Sequence, residues 1–185
     1  MVIELKRLSC NDGIEIYNML QEIPKEENGL QNKANGLTFE EFKEWLIIKQ
    51  AESEQEGIVD GWKVPSTTYW LYVDGVPVGY GNIRKFLTEA LRQAGGHIGY
   101  GIAPSFRGKG YGKEAMKALL KEAFENMNIN RFWLDVYPDN VIGIKLYESL
   151  GMHRDGILRQ NYKAERGYLD QIIYSMLKSE YFSEG

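Results

Sequence analysis

The chain has 185 residues, 43% of them hydrophobic and 26% charged, with a net charge of −4. That length and balance suit one globular domain, expected to span residues 1–185, and they exclude a globally basic nucleic-acid binder. A lone Cys10 excludes an intramolecular disulfide; with no membrane-length apolar run and no signal-peptide pattern, a reducing, cytoplasmic setting is expected.

Residues 2–8 alternate apolar and polar side chains, as a strand does. Asn11 or Asp12 is placed to cap a short helix carrying Ile14, Ile16, Tyr17, Met19 and Leu20, before Pro24. Residues 24–36, rich in Glu, Asn, Lys and Gly, read as a loop. Thr38 and Glu41 make a capping box for a second helix reaching Gln55, with Phe39, Phe42, Trp45, Leu46 and Ile48 as its apolar residues. Residues 67–73 and 76–86 flank Asp74-Gly75, a hairpin signal. Residues 87–93 form a short helix before Gly95-Gly96, and 97–103 a strand that Pro104 ends. Residues 111–127 are amphipathic: Tyr111, Ala115, Leu119, Ala123 and Met127 share one face, and Lys113, Lys117, Lys121 and Glu125 the other. A strand at 131–137, a helix from Asn140 to Leu150 closed by Gly151, and strands at 152–158 and 168–177 around a polar loop complete the chain. The order β-α-α-β-β-β-α-β-α-β-β is an α/β fold: a central mixed, mostly antiparallel sheet of about seven strands, with helices on both faces.

The stretch Arg107-Gly108-Lys109-Gly110-Tyr111-Gly112 joins the strand at 97–103 to the following helix. Strand, glycine turn and helix start are the parts of a backbone phosphate site, because the first N–H groups of a helix are unpaired at its positive end. A Walker loop is excluded: Gly112-Lys113 is followed by Glu114, and Arg107 stands at the earlier glycine position. A dinucleotide fingerprint is excluded too, since Lys113 follows Gly108 and Gly110 where its third glycine belongs.

What fits is Arg/Gln-x-x-Gly-x-Gly/Ala, with Arg107, Gly110 and Gly112 in the fixed places. This resembles the pyrophosphate loop of the GNAT superfamily of acyl-CoA-dependent N-acyltransferases. A later block, Asn140 opening a helix and then Leu146-Tyr147-Glu148-x-x-Gly151-Met152, resembles the second signature of that family. The resemblance covers residues 97–153 and is looser elsewhere. It implies acetyl-CoA as co-substrate, a primary amine of a small molecule or peptide as acceptor, and direct transfer in a ternary complex. It admits a homodimer and implies no nucleic-acid or membrane partner. The runner-up is a non-catalytic acyl-CoA-binding or sensing domain of the same fold.

On that resemblance, backbone N–H groups of Gly108, Gly110, Tyr111 and Gly112 hold the pyrophosphate, with cationic help from Arg107, Lys109 and Lys113. A bulge at Gly99 or Gly101 would splay the strand, and the N–H groups near Gly101, Ile102 and Ala103 would polarise the thioester carbonyl. Tyr147 is the expected acid for the leaving thiolate, and Asn140 the expected cap and cofactor contact. An amine of pKa about 10.4 is neutral in only about one molecule in 2,500 at pH 7, so a proton acceptor would help. Asp135, twelve residues before Tyr147, stands where some bacterial protein N-terminal acetyltransferases carry a catalytic Glu. It is one methylene shorter, which calls for a bridging water. His97 is the alternative base. His153 and Cys10 read as structural, and neither histidine has partners at metal spacing, so no metal is expected. The segment from Glu22 to Trp62 is expected to shape the acceptor side, with Glu26, Glu27, Glu40, Glu41 and Glu44 suited to a cationic amine. Residues 155–159, 167–170 and 174–177 loosely resemble the branch acting on ribosomal protein N-termini and polyamines.

Overall fold

A computed structural model describes residues 1–55, 64–93 and 95–183. In chain order its elements are β1 (Ile3–Arg7), α1 (Ile14–Glu22), β2 (Glu26–Glu27), β3 (Leu30–Gln31) and α2 (Phe39–Glu54). Then come β4 (Ser66–Val73), β5 (Val76–Arg84), α3 (Glu89–Gln93), β6 (Ile98–Ile102), α4 (Tyr111–Lys121) and β7 (Arg131–Val136). α5 (Val141–Ser149), β8 (His153–Ala164), β9 (Gly167–Leu177) and α6 (Lys178–Ser183) end the chain.

β4 fixes the layering. Tyr69, Leu71 and Val73 pack with residues of α4, whereas Trp70 and Tyr72 pack with Ile16 of α1 and Phe42 of α2. A strand alternates faces, so a continuous apolar run is buried by helices on both sides. Asp74 and Gly75 turn the chain into β5 with φ of 49° and 80°, the left-handed pair of a two-residue hairpin. The Thr38–Glu41 capping box is formed at the start of α2.

The seven long strands divide into two sheets, ordered β1-β4-β5-β6 and β7-β9-β8, instead of one continuous sheet. The sheets meet where His97 N–H donates to Trp133 O at 2.9 Å. Gly96 permits that approach: its φ is +56°, and a Cβ there would lie 2.3 Å from Trp133 O. Among the described residues β6 has no backbone hydrogen bond to β7 beyond this tie. The crossover through α4 lets β6 and β7 run the same way; with the tie at the start of β6 and no ladder bond after it, they part toward their C-terminal ends.

Several local expectations need correction. Gly13, with no side-chain bond, is the N-cap of α1; Asp12 instead accepts from Ser9 N–H at 2.8 Å and from the Trp70 indole at 2.6 Å. Residues 24–36 contain the small β2–β3 hairpin. The long amphipathic helix gives way to a π turn at Glu122–Asn126. Ile48 is 57% exposed and outside the core. The polar residues 159–164 extend β8 almost to the turn before β9, and α6 follows where no helix was expected.

Candidate functional site

At the open end of the parted strands lies the glycine loop. Gly108 and Gly110 have φ of +76° and +82°, and a Cβ on either would meet nothing within 4 Å. Backbone conformation therefore asks for glycine there, and the space beside it is open. Gly110 is the N-cap of α4 and brings no capping side chain. The first helical bond runs from Lys113 N–H to Gly110 O at 3.1 Å, so the N–H groups of Tyr111 and Gly112 point out of the helix end.

The cations around the loop have protein partners. Arg107 meets the Glu27 carboxylate at 3.0 and 2.6 Å, and its Nε donates to Ile102 O at 2.9 Å. Lys113 Nζ lies 3.3 Å from Ser149 O, and Lys109 Nζ sits 5.3 Å from the Phe106 ring centroid.

β6 pairs with β5 in unbroken register from Ile98 to Ile102, so the expected bulge is absent; the register shift falls in the β4–β5 pair, at Leu71/Tyr72. Gly99 and Gly101 have a different cause. A Cβ on Gly101 would lie 2.7 Å from Leu30 Cδ2, and one on Gly99 3.2 Å from Leu30 Cδ1. The ladder also corrects the free N–H groups. Arg84 N–H donates to His97 O and Ala103 N–H to Val78 O. Bonded pairs alternate along an antiparallel ladder, so Gly101 N–H faces Tyr80. Gly101 and Ala103 are thus spent on β5, while the N–H groups of Tyr100 and Ile102 face the cleft.

Tyr147 on α5 is 6% exposed, with its ring 5.7 Å from that of Tyr174. Burial holds its phenol well above the ordinary value, and the neighbouring Tyr100 hydroxyl adds a charge and a hydrogen-bond contribution in the same direction. Tyr100 comes from β6 and Tyr147 from beyond β7, so the pair bridges the split. Asn140 caps α5, its Oδ1 accepting from Gly143 N–H at 3.0 Å.

Asp135 is tied into the scaffold: Oδ1 accepts from Gly95 N–H at 2.9 Å, and Oδ2 from the Gln171 amide. The half-buried Arg84, bonded to Gly96 O at 3.0 Å, feels its charge. His97 is buried against Phe132, and its Nδ1 accepts from Trp133 N–H at 3.2 Å. Burial lowers its pKa to about 4; the ring is neutral at pH 7, too weak a base to take an amine's proton. His153 is exposed beside Asp155, at 3.0 Å. Among the described residues no three His, Cys, Asp or Glu side chains converge as a metal site.

Opposite the α4 and α5 side, Trp133, Asp135 and Tyr137 share one face of the strand. Tyr137 stacks on Tyr162 at 5.9 Å, and Arg166, paired with Asp139 at 2.6 Å, sits 6.0 Å from the Tyr137 ring. Burial first, then Tyr162, Asp135 and Glu26, raise the Tyr137 phenol to about 12. Glu26 and Glu27 thus border the cleft, whereas Glu41 serves the α2 cap. Trp62 lies outside the described residues. Sequence reasoning missed Tyr100, Leu30, Arg84 and Gln171; Gln171, polar beside Ile172 and Ile173 in a strand, was the one with a visible signal. No helix is long and apolar enough to cross a membrane among the described residues.

The profile of the acetyltransferase (GNAT) family matches residues 33–152. An uncharacterized N-acetyltransferase, p20, of Bacillus licheniformis is 38% identical over 84 residues, 45% of this chain and 47% of that protein. The putative ribosomal N-acetyltransferase YdaF of Bacillus subtilis is 28% identical over 149 residues, 76% of this chain and 80% of its own. The chain spans about half the length of the first curated relatives it matches (47%, 49% and 56%). A mutant form of the spermidine/spermine N-acetyltransferase SpeG of Vibrio cholerae superposes with a TM-score of 0.69 at 18% identity, over 100% of this chain and 99% of that one. The shared fold, a profile match over most of the chain and the parted strands ending at a glycine-capped helix agree: the protein belongs to the acetyltransferase (GNAT) family.

Proposed function

We propose that the protein is an N-acetyltransferase that passes the acetyl group of acetyl-CoA directly to a primary amine of a small molecule or peptide. The observation that carries this reading is the cleft between β6 and β7, opening onto the bare N-terminus of α4. An extended pantetheine arm fits between strands that have parted, and a pyrophosphate fits open N–H groups at a positive helix end. Gly108, Gly110, Tyr111 and Gly112 would hold it, with Arg107, Lys109 and Lys113 around it and Asn140 near the arm.

The amine lone pair attacks the thioester carbonyl carbon, whose oxygen takes negative charge facing the N–H of Ile102. The C–S bond then breaks and sulfur leaves as thiolate. Tyr147 donates a hydrogen bond and then a proton to that sulfur. Its raised pKa keeps it protonated, and the same dry surroundings raise the thiolate's proton affinity. The amine's proton passes through water toward Asp135, whose carboxylate oxygens keep lone pairs beyond the bonds they already accept.

Glu26, Asp135 and the stacked Tyr137 and Tyr162 favour a cationic acceptor. Ribosomal and polyamine acceptors named for YdaF and SpeG fit that chemistry. We propose a homodimer as part of this reading; a spermidine N-acetyltransferase of Vibrio cholerae with the same fold is dodecameric. Mass spectrometry of polyamines, aminoglycosides and basic peptides incubated with protein and acetyl-CoA tests it. An acetylated primary amine is expected; every amine unmodified contradicts the reading.

A further inference from the structure

The β2–β3 hairpin lies across the mouth of the cleft. Its neck is anchored: Asn32 N–H donates to Lys25 O at 2.9 Å, and the Asn32 amide to Leu20 O and Ile23 O at 2.8 and 2.9 Å. Leu30 fills the notch left by Gly99 and Gly101 on β6, and a Cβ on Gly29 would come 3.4 Å from the Tyr137 hydroxyl, just past β7. Glu27 grips Arg107 at 3.0 and 2.6 Å beside the glycine loop. The hairpin therefore touches β6, the residue just past β7 and the anion loop, and its tie to the loop is ionic.

Resting on the cofactor reading above, we propose that Glu27 is a positioning residue for cofactor loading. It holds Arg107 and the hairpin across the cleft until a pyrophosphate takes the guanidinium, and the freed hairpin then opens the acceptor face. Carboxylate and phosphate compete for the same donor fork. The Glu27–Arg107 pair is about two-fifths exposed (36% and 41%), so it is weak and easily exchanged. A pyrophosphate carries more charge than one carboxylate and gains the α4 N–H groups at the same time. Linkage makes the effect reciprocal: whatever frees Arg107 tightens cofactor binding, and the cofactor loosens the hairpin. Acceptor binding would then follow acetyl-CoA.

Amide hydrogen exchange over residues 26–32 of the full chain tests this, beside calorimetry of acetyl-CoA binding. Wild type should exchange slowly alone, and faster with acetyl-CoA or saturating inorganic pyrophosphate. S-acetyl-pantetheine, which lacks the pyrophosphate, should leave exchange slow. Glu27→Gln keeps the shape and removes the charge, so its hairpin should exchange about fivefold faster than wild type without ligand and the protein should bind acetyl-CoA about fivefold tighter. Slower hairpin exchange with acetyl-CoA, or a Glu27→Gln hairpin as protected as wild type, would overturn the proposal and leave the functional reading intact. No acetyl-CoA binding by wild type would overturn both.

Discussion

Tyr147 shows how one side chain serves packing and chemistry together. Its ring belongs to the core with Tyr174, and its hydroxyl meets Tyr100 across the divided strands. Tyr147→Phe removes one oxygen from a packed ring, so acetyl-CoA affinity should hold while turnover drops about 10²-fold; steady-state rates beside calorimetry check this, and full activity would return Tyr147 to the core. Asp135 carries a heavier structural role. Asp135→Asn turns an amide toward Gly95 N–H or the Gln171 amide, which should cost about 1–3 kcal/mol of stability in a melting curve. If the carboxylate also receives the amine's proton through water, turnover should fall at neutral pH and recover as pH nears the amine's own pKa. A loss equal at every pH would assign Asp135 to the scaffold alone. His97 gives a prediction with a definite sign. Its pKa is lowered from 6.5 to about 4 in the folded chain, so between those values the unfolded chain binds a proton that the native state refuses. The stability it contributes is full above pH 6.5 and is lost as pH falls toward about 4, by up to about 3 kcal/mol. His97→Asn, which can still accept from Trp133 N–H, should flatten that slope in denaturant titrations across pH.

Among elements, those with local causes were legible. Asp74-Gly75 fixes its hairpin through two positive φ values, and Thr38 with Glu41 starts α2 through reciprocal bonds. The β2–β3 hairpin was not legible, because strands of two residues each have no periodicity to read. Its signature was instead the glycines of β6, read as a bulge although they make room for Leu30. The start of α4 was legible in full, since positive φ at Gly108 and Gly110 is a local demand. Gly110→Glu puts a side chain at a φ of +82° and a negative charge where the pyrophosphate should lie. Acetyl-CoA affinity should fall at least about tenfold, roughly 1.4 kcal/mol, in calorimetry on the folded variant; unchanged affinity would remove the loop from the cofactor site.

On the scale of the whole molecule, the sequence indicated the seven long strands and the helices on both faces, but not the division of the sheet. That division depends on contacts distant in sequence: Gly96 against Trp133, Arg84 and Asp135 around the Gly95-Gly96 turn, and Tyr100 against Tyr147. Together they pin β6 to β7 at one end and let the strands part at the other, with α4 aimed at the opening. The most direct test of that architecture as an acetyl-transfer site is release of free CoA thiol from acetyl-CoA, followed as each amine of a cationic panel is added. Release should depend on the amine, saturate with it and nearly vanish in Tyr147→Phe. Tight acetyl-CoA binding with no amine-dependent release from any member of the panel would contradict it.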